Sequence, residues 1–180
     1  MDTFAENIGA GRFENQPDFE QRTVSLADCR FGRDFPGGAI NPRVTDRGAS
    51  PELVASVKED GVLEPLLGTE HAGLYYFEAG DRRLAALFIV HAAARNDHGY
   101  PIVLDSVRHV PVPIILHHRG EPLERGLQEN LNRNNLHPVD RMEGFAALIA
   151  RGRSEADLAA AFMLRPAQVR QTLRLGVLAP

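Results

Sequence analysis

Residues 80–83 read Gly-Asp-Arg-Arg, directly after the apolar run Leu74-Tyr75-Tyr76-Phe77 and directly before Leu87-Phe88-Ile89-Val90. That order describes a strand, a tight glycine turn and a helix that opens on two arginines. The first turn of a helix presents backbone N–H groups without intrahelical partners, at the positive end of the helix dipole. Arg82 and Arg83 beside those amides make an anion site, and phosphate suits the planar guanidinium fork. The same four residues also fit a plain helix start, with Asp81 as a cap and both arginines solvated.

A second polar cluster, Glu129-Asn130-Leu131-Asn132-Arg133-Asn134-Asn135, sits at the end of another helical stretch. Glu129 and Asn130 offer hard oxygen ligands of the kind magnesium takes together with phosphates. Arg133 adds a cation for a terminal phosphate. A helix end that unravels into a polar turn would use the same residue types. His91, His117, His118 and His137 show no metal-ligand spacing and are read as surface or helix-end residues.

The third arrangement lies near the C-terminus. Ser154 caps a short helix whose Leu158, Ala159 and Phe162 form an apolar face. Met163-Leu164-Arg165 make a turn, with Met163 where such turns favour glycine. Pro166 opens a second helix with Val169, Leu173 and Leu175–Val177 facing inward. Two short helices joined by a three-residue turn match a helix-turn-helix, whose second helix enters the major groove. The outward residues Arg165, Gln168, Arg170, Gln171 and Arg174 suit guanine, adenine and phosphate contacts. A helical pair with a solvated charged face has the same spacing.

The elements that must carry these groups follow from periodicity and punctuation. Residues 1–21 are polar and aperiodic and read as a flexible tail. Thr23–Leu26 reads as a short strand. Ser50 and Pro51 open a helix that Gly61 closes. Val62–Leu67 and Leu74–Glu78 are strands around a turn at Thr69–Gly73, and Arg82–Ala94 is the helix after Gly80. Residues 95–109 look inserted. Val110–Leu116 is a strand placed at a sheet edge by Pro111 and Pro113. Helices are predicted over 121–132, 138–151, 154–162 and 166–177. The fold class is therefore α+β: a tail over 1–21, a small mixed α/β domain over 22–118, and an all-α domain over 119–180 with the helix-turn-helix at 154–178.

The 180 residues carry a net charge of −4, with 43% hydrophobic and 24% charged residues, the profile of an ordinary globular protein. No apolar run approaches the roughly 20 residues of a membrane helix, and the N-terminus lacks the pattern of a secretory signal. Cys29 is the only cysteine, which excludes a disulfide framework and fits a cytoplasmic setting. Residues 1–120 carry −5, whereas residues 151–180 hold five arginines against Glu155 and Asp157, a local +3. The basic end coincides with the helix-turn-helix.

Together the pieces resemble the ParB family of partition proteins, in family order. Asn41-Pro42-Arg43 and SVKEDGVLEPLL (56–67) look like its first box, and YYFEAGDRRLAA (75–86) like its second. ENLNRNNLHPVDR (129–141) looks like the third, and residues 154–178 like the helix-turn-helix that follows. The 95–109 insertion looks more like long plasmid-borne members than short chromosomal ones. The resemblance implies a ParB/sulfiredoxin-like domain that binds CTP and Mg2+, self-associates as an N-terminal clamp dimer, and loads on double-stranded DNA at a centromere-like site. It also implies weak CTP hydrolysis, a Walker-type partition ATPase as partner, and a cytoplasmic, nucleoid- or plasmid-associated location with no membrane contact. By the same resemblance Gly80, Asp81, Arg82, Arg83 and Arg133 bind nucleotide, and Glu129 and Asn130 hold the metal.

Three positions depart from the family pattern. Asp81 stands for glutamate, Ala85 for a third basic residue, and Asn132 for glutamine. The chain also ends before the family's C-terminal dimerisation domain, so it reads as a fragment without strong spontaneous dimerisation. Two alternatives share the fold: a ParB-like nuclease and a plasmid transcriptional repressor. Sulfiredoxin chemistry needs a cysteine in the glycine turn, where this chain has Asp81.

Overall fold

The computed structural model describes residues 18–43, 48–132 and 136–178. The chain runs through β1 (Phe19–Ser25), β2 (Cys29–Arg30), α1 (Pro51–Asp60), β3 (Leu66–His71), β4 (Leu74–Ala79), α2 (Asp81–His91) and β5 (Pro111–His117). Four helices follow: α3 (Pro122–Asn132), α4 (Pro138–Ala150), α5 (Glu155–Ala161) and α6 (Pro166–Leu178). The strands form one sheet in the order β1-β5-β3-β4-β2. β1/β5 and β3/β4 are antiparallel, while β5/β3 and β4/β2 are parallel. The α+β class expected from the sequence is the one observed.

Local chemistry explains most boundaries. The Ser50 hydroxyl accepts the Leu53 amide at 3.3 Å, Pro51 takes the first helical position, and Gly61 ends α1 at φ +72°. Ala72 (φ +51°) and Gly73 (φ +78°) close the β3–β4 hairpin with the left-handed pair that matches strand twist. Against the sheet, α1 and α2 bury Val57, Leu84, Leu87 and Phe88 together with Phe77, Ile114 and Leu116. A second buried cluster joins Leu123 and Leu127 of α3 to Phe145, Leu148, Leu158 and Val169 of the later helices. At the α3–α4 crossing a Cβ on Gly144 would stand 2.7 Å from Leu127, so the backbones approach closely there.

Four boundary expectations are corrected. β1 begins at Phe19, inside the segment read as a tail, because seven residues pair with β5. β3 begins at Leu66, where pairing with Ile114 starts, rather than at Val62, and it runs on through the stretch read as a turn. α2 ends at His91, three residues early. β5 lies between β1 and β3 and not at an edge. Its prolines are tolerated because β3 pairs only with Ile114, Ile115 and Leu116, which leaves Pro111 and Pro113 flanked by β1 alone.

Candidate functional site

β4 delivers the chain into Gly80, which adopts φ +116° and caps α2 without a side chain. A Cβ there would also meet Leu66 Cγ at 2.8 Å, so glycine is required for both conformation and space. Gly80, the N-cap residue of α2, has no side chain with which to cap the first turn. The Asp81 carboxylate is buried and accepts the Gly32 amide at 3.1 Å. The arginines reach two different segments. Arg82 Nε donates to Gly48 O at 3.1 Å, and Arg83 donates to Glu64 O at 2.5 Å and Pro65 O at 3.1 Å. The Glu64 carboxylate stands 3.6 Å from Arg83.

The end of α3 is tied to this turn through the Asn41-Pro42-Arg43 segment. Gly32, which gives its N–H to Asp81, accepts Ile40 N at 2.9 Å through its carbonyl. Asn41 Oδ1 accepts the Arg43 amide at 3.0 Å, and Arg43 Nε donates to Asn130 Oδ1 at 2.9 Å. Asn130 is buried and returns its amide N–H to Gly126 O at 2.8 Å. A relay of short polar contacts therefore runs from Asp81 through Gly32, Ile40, Asn41 and Arg43 to Asn130. Arg43 was legible only as part of a motif, with no role attached to it.

The donor set suits magnesium in part. Asn130 Oδ1 already faces a guanidinium, which disfavours a second cation at the same oxygen. Glu129, half-buried one residue earlier, is the carboxylate of the pair, and one carboxylate plus substrate phosphates is a common Mg2+ arrangement. Among the described residues there is no group of three or more His, Cys, Asp or Glu side chains able to hold a metal alone. Arg133 lies outside the described residues, as does the side chain of Asn132.

Sequence reasoning missed one cluster outright. Glu78, 1% exposed, takes a fork from Arg125, with Nη2 at 2.5 Å and Nε at 3.0 Å, and meets His117 Nδ1 at 3.2 Å. Arg125 also donates to Gly120 O at 2.6 Å and to Arg119 O. A Cβ on Gly126 would lie 2.9 Å from Glu78 O and 2.8 Å from Ile40 O, so α3 rests its backbone on β4 beside this pair. His117 is thus engaged with a buried carboxylate and not a surface residue. The sole signal was a carboxylate in an otherwise apolar strand, and its partners lie 39 and 47 residues away. His91 is the last residue of α2, and burial followed by the nearby His109 lowers its pKa. His137 caps α4, its Nδ1 accepting the Val139 amide at 3.3 Å.

The helix-turn-helix geometry is present in α5 and α6. Ser154 and Asp157 form a reciprocal capping box at the start of α5. Met163 takes the left-handed conformation at φ +51°, at the turn position where glycine is usual. Val169 and Thr172 of α6 face inward, while Arg165, Gln168, Arg170, Gln171 and Arg174 are all exposed. Gln168 Oε1 accepts the Arg165 amide at 2.9 Å and so helps cap α6. Arg170 lies 3.4 Å from Glu155 of α5. Among the described residues Arg165 and Arg174 have no acidic partner. Arg151 and Arg153 are already paired, with Glu121 at 2.5 Å and Glu124 at 2.6 Å.

No family model matches the chain. It is 30% identical over 129 residues to the chromosome-partitioning protein Spo0J of Thermus thermophilus, an alignment covering 72% of this chain and 42% of that protein. It is 30% identical over 146 residues to the probable chromosome-partitioning protein ParB of Neisseria meningitidis, covering 79% of this chain and 43% of the other. The chain thus spans about two fifths of the length of these curated relatives. Among solved structures it is similar to the C-terminally truncated ParB of Caulobacter crescentus complexed to the centromeric parS site. That match has 21% identity and a TM-score of 0.49, over 88% of this chain and 73% of the other.

Proposed function

We propose, from the premise that the chain belongs to the ParB family of partition proteins, that it is the nucleotide- and DNA-binding part of a partition clamp. The observation that carries this reading is the polar relay from the Gly80 turn to the end of α3, upstream of a helix-turn-helix with an exposed cationic face. On this reading CTP is the nucleotide. The first-turn amides of α2 and the guanidinium groups of Arg82 and Arg83 bind its phosphates, and Gly80 supplies the left-handed turn that presents those amides. Asp81 acts from behind, holding Gly32 and with it the loop that leads to Arg43. Glu129 would hold Mg2+, which supplies charge neutralisation between phosphate oxygens. Asn130 positions Arg43 instead of contacting the metal, and Arg133 is assigned to the terminal phosphate.

Arg165, Gln168, Arg170, Gln171 and Arg174 read or grip double-stranded DNA at a centromere-like site. The Arg125–Glu78 pair and the Gly126 contact link the two activities mechanically, because α3 begins on β4 and ends in the helical half. Self-association of the N-terminal part, a Walker-type ATPase partner and a cytoplasmic, nucleoid- or plasmid-associated location complete the proposal. Among the described residues no helix is long and apolar enough to cross a membrane. The 95–109 insertion supports placing the chain with long plasmid-borne members.

Titration calorimetry with CTP, ATP and GTP in the presence of Mg2+ tests the nucleotide half. Binding of CTP in preference to the purine nucleotides, lost in Arg82→Ala, is the expected result. Absence of heat and of any thermal shift with CTP would overturn it, leaving only the DNA-binding module.

A further inference from the structure

The segment 95–109 has no role in that scheme, yet one of its side chains reaches the loop that braces Asp81. The segment has its own internal frame. Arg95 and Pro101 form an isolated antiparallel bridge, and the Asn96 amide donates to Tyr100 O at 2.8 Å. Asn96 Oδ1 accepts the amides of His98 at 3.0 Å and Tyr100 at 3.1 Å, while Gly99 turns the chain at φ +87°. This fixes the direction of Tyr100. Its hydroxyl accepts the Phe31 amide at 2.9 Å and donates to Asp34 Oδ2 at 2.7 Å. Burial, and then the bond to Asp34, push the hydroxyl pKa well above its ordinary value, so it stays protonated and keeps both contacts at any physiological pH.

The next amide along, that of Gly32, donates to Asp81. The rings pack around the same segment: Phe31 meets Tyr100 at 5.0 Å and Phe88 of α2 at 5.7 Å between centroids. Arg33 lies over the Phe31 ring at 4.2 Å and also donates to His98 O. Gly32 has no slack toward the sheet, since a Cβ there would stand 2.0 Å from Phe77 O. Consecutive amides are therefore anchored from opposite sides, one by the inserted segment and one by the carboxylate at the start of α2.

We propose that Tyr100 is a positioning residue for the nucleotide turn, holding the Arg30–Phe31 peptide so that the next amide, that of Gly32, stays on Asp81 and the Asn41–Arg43 loop keeps its place. This rests on the nucleotide reading above. Tyr100 touches no nucleotide and acts through Gly32 and Asp81. The insertion is then a brace that sets affinity, and not a decoration on the surface.

The test compares the 180-residue chain with its Tyr100→Phe variant, which keeps the ring and removes the hydroxyl. CTP with Mg2+ is titrated by calorimetry, and exchange of the Gly32 amide is followed by NMR. The expected result is about 3- to 10-fold weaker CTP binding, the scale of one lost hydrogen bond. The Gly32 amide should exchange faster, and the change in affinity should vanish in an Asp81→Ala background, because coupled contacts are not additive. A general loss of stability would not single out Gly32. Equal CTP affinity with unchanged Gly32 protection overturns the inference while the nucleotide reading stands. No CTP binding by the parent chain overturns the nucleotide reading and the inference with it. Should Tyr100→Phe not fold, Asn96→Ala decides the matter by the same two measurements, since it loosens only the loop that aims Tyr100.

Discussion

The Gly80 region and the helix-turn-helix are both polar, but they spend their polarity in opposite ways. Around Gly80 the polar groups are engaged within the protein: Asp81 on Gly32, Arg82 and Arg83 on backbone carbonyls at the surface, Asn130 on Arg43, Glu78 on Arg125. Along α6 they point outward, and Arg165 and Arg174 have no acidic partner among the described residues. The first region is a machine whose shape depends on internal pairing. The second is a display, held by an apolar underside of Val169 and Leu173. Damage to the first should register as instability, and damage to the second as lost affinity on an intact fold.

The strongest challenge to this contrast is Glu78→Ala. Arg125 would be left half-buried without its carboxylate, and breaking a buried pair from one side costs about 3–5 kcal/mol. Chemical denaturation should show a loss of that order, with α3 loosened from β4. A variant as stable as the parent would mean that the inward pairing carries little energy, and the contrast would fail. Arg165→Ala and Arg174→Ala probe the other side. Each should leave the melting temperature unchanged, weaken binding to duplex DNA several-fold, and lower the salt slope by about 1 if the contact is to phosphate. Binding measured across a salt series separates the two; a shifted melting temperature would show that α6 is not merely a display.

The smallest effect sharpens the contrast within the display itself. Ser154→Ala should cost about 1 kcal/mol by opening the N-terminus of α5. The partner, Asp157, has a pKa lowered first by its hydrogen bond with the Ser154 side chain and then by the Ser154 amide. A depressed carboxylate pKa means that its stabilisation is complete above the ordinary value of 3.8 and is lost as pH falls through the lowered one. Acid titration followed by NMR should therefore show α5 fraying in that window, and Ser154→Ala should shrink the effect to the part that the Ser154 amide supplies.

The two regions also differed in how far they could be read from sequence. The face of α6 and the Ser154 cap depend on residues three or four apart, and periodicity exposes such groupings directly. Gly61 and Gly80 were legible for the same reason, as punctuation between adjacent elements. The inward region depends on pairs far apart in the chain. Arg43 and Asn130 are separated by 87 residues, and Gly32 and Asp81 by 49. No local pattern announces such partners, so Glu78 passed as one more strand residue and His117 as a surface residue. The prolines of β5 misled for a related reason. They marked where β5 lacks a second neighbour, but only half of the strand lacks one.

Met163 carries a practical consequence. It is 90% exposed on the tip between α5 and α6, held there by a strained backbone. A thioether so accessible is oxidised by peroxide ahead of buried sulfur, and the sulfoxide is read by mass spectrometry as a single added oxygen. The turn thus carries its own chemical footprinting probe. Duplex seated along the neighbouring helix would shade it, and the oxidation rate at this one atom would report occupancy without any attached label.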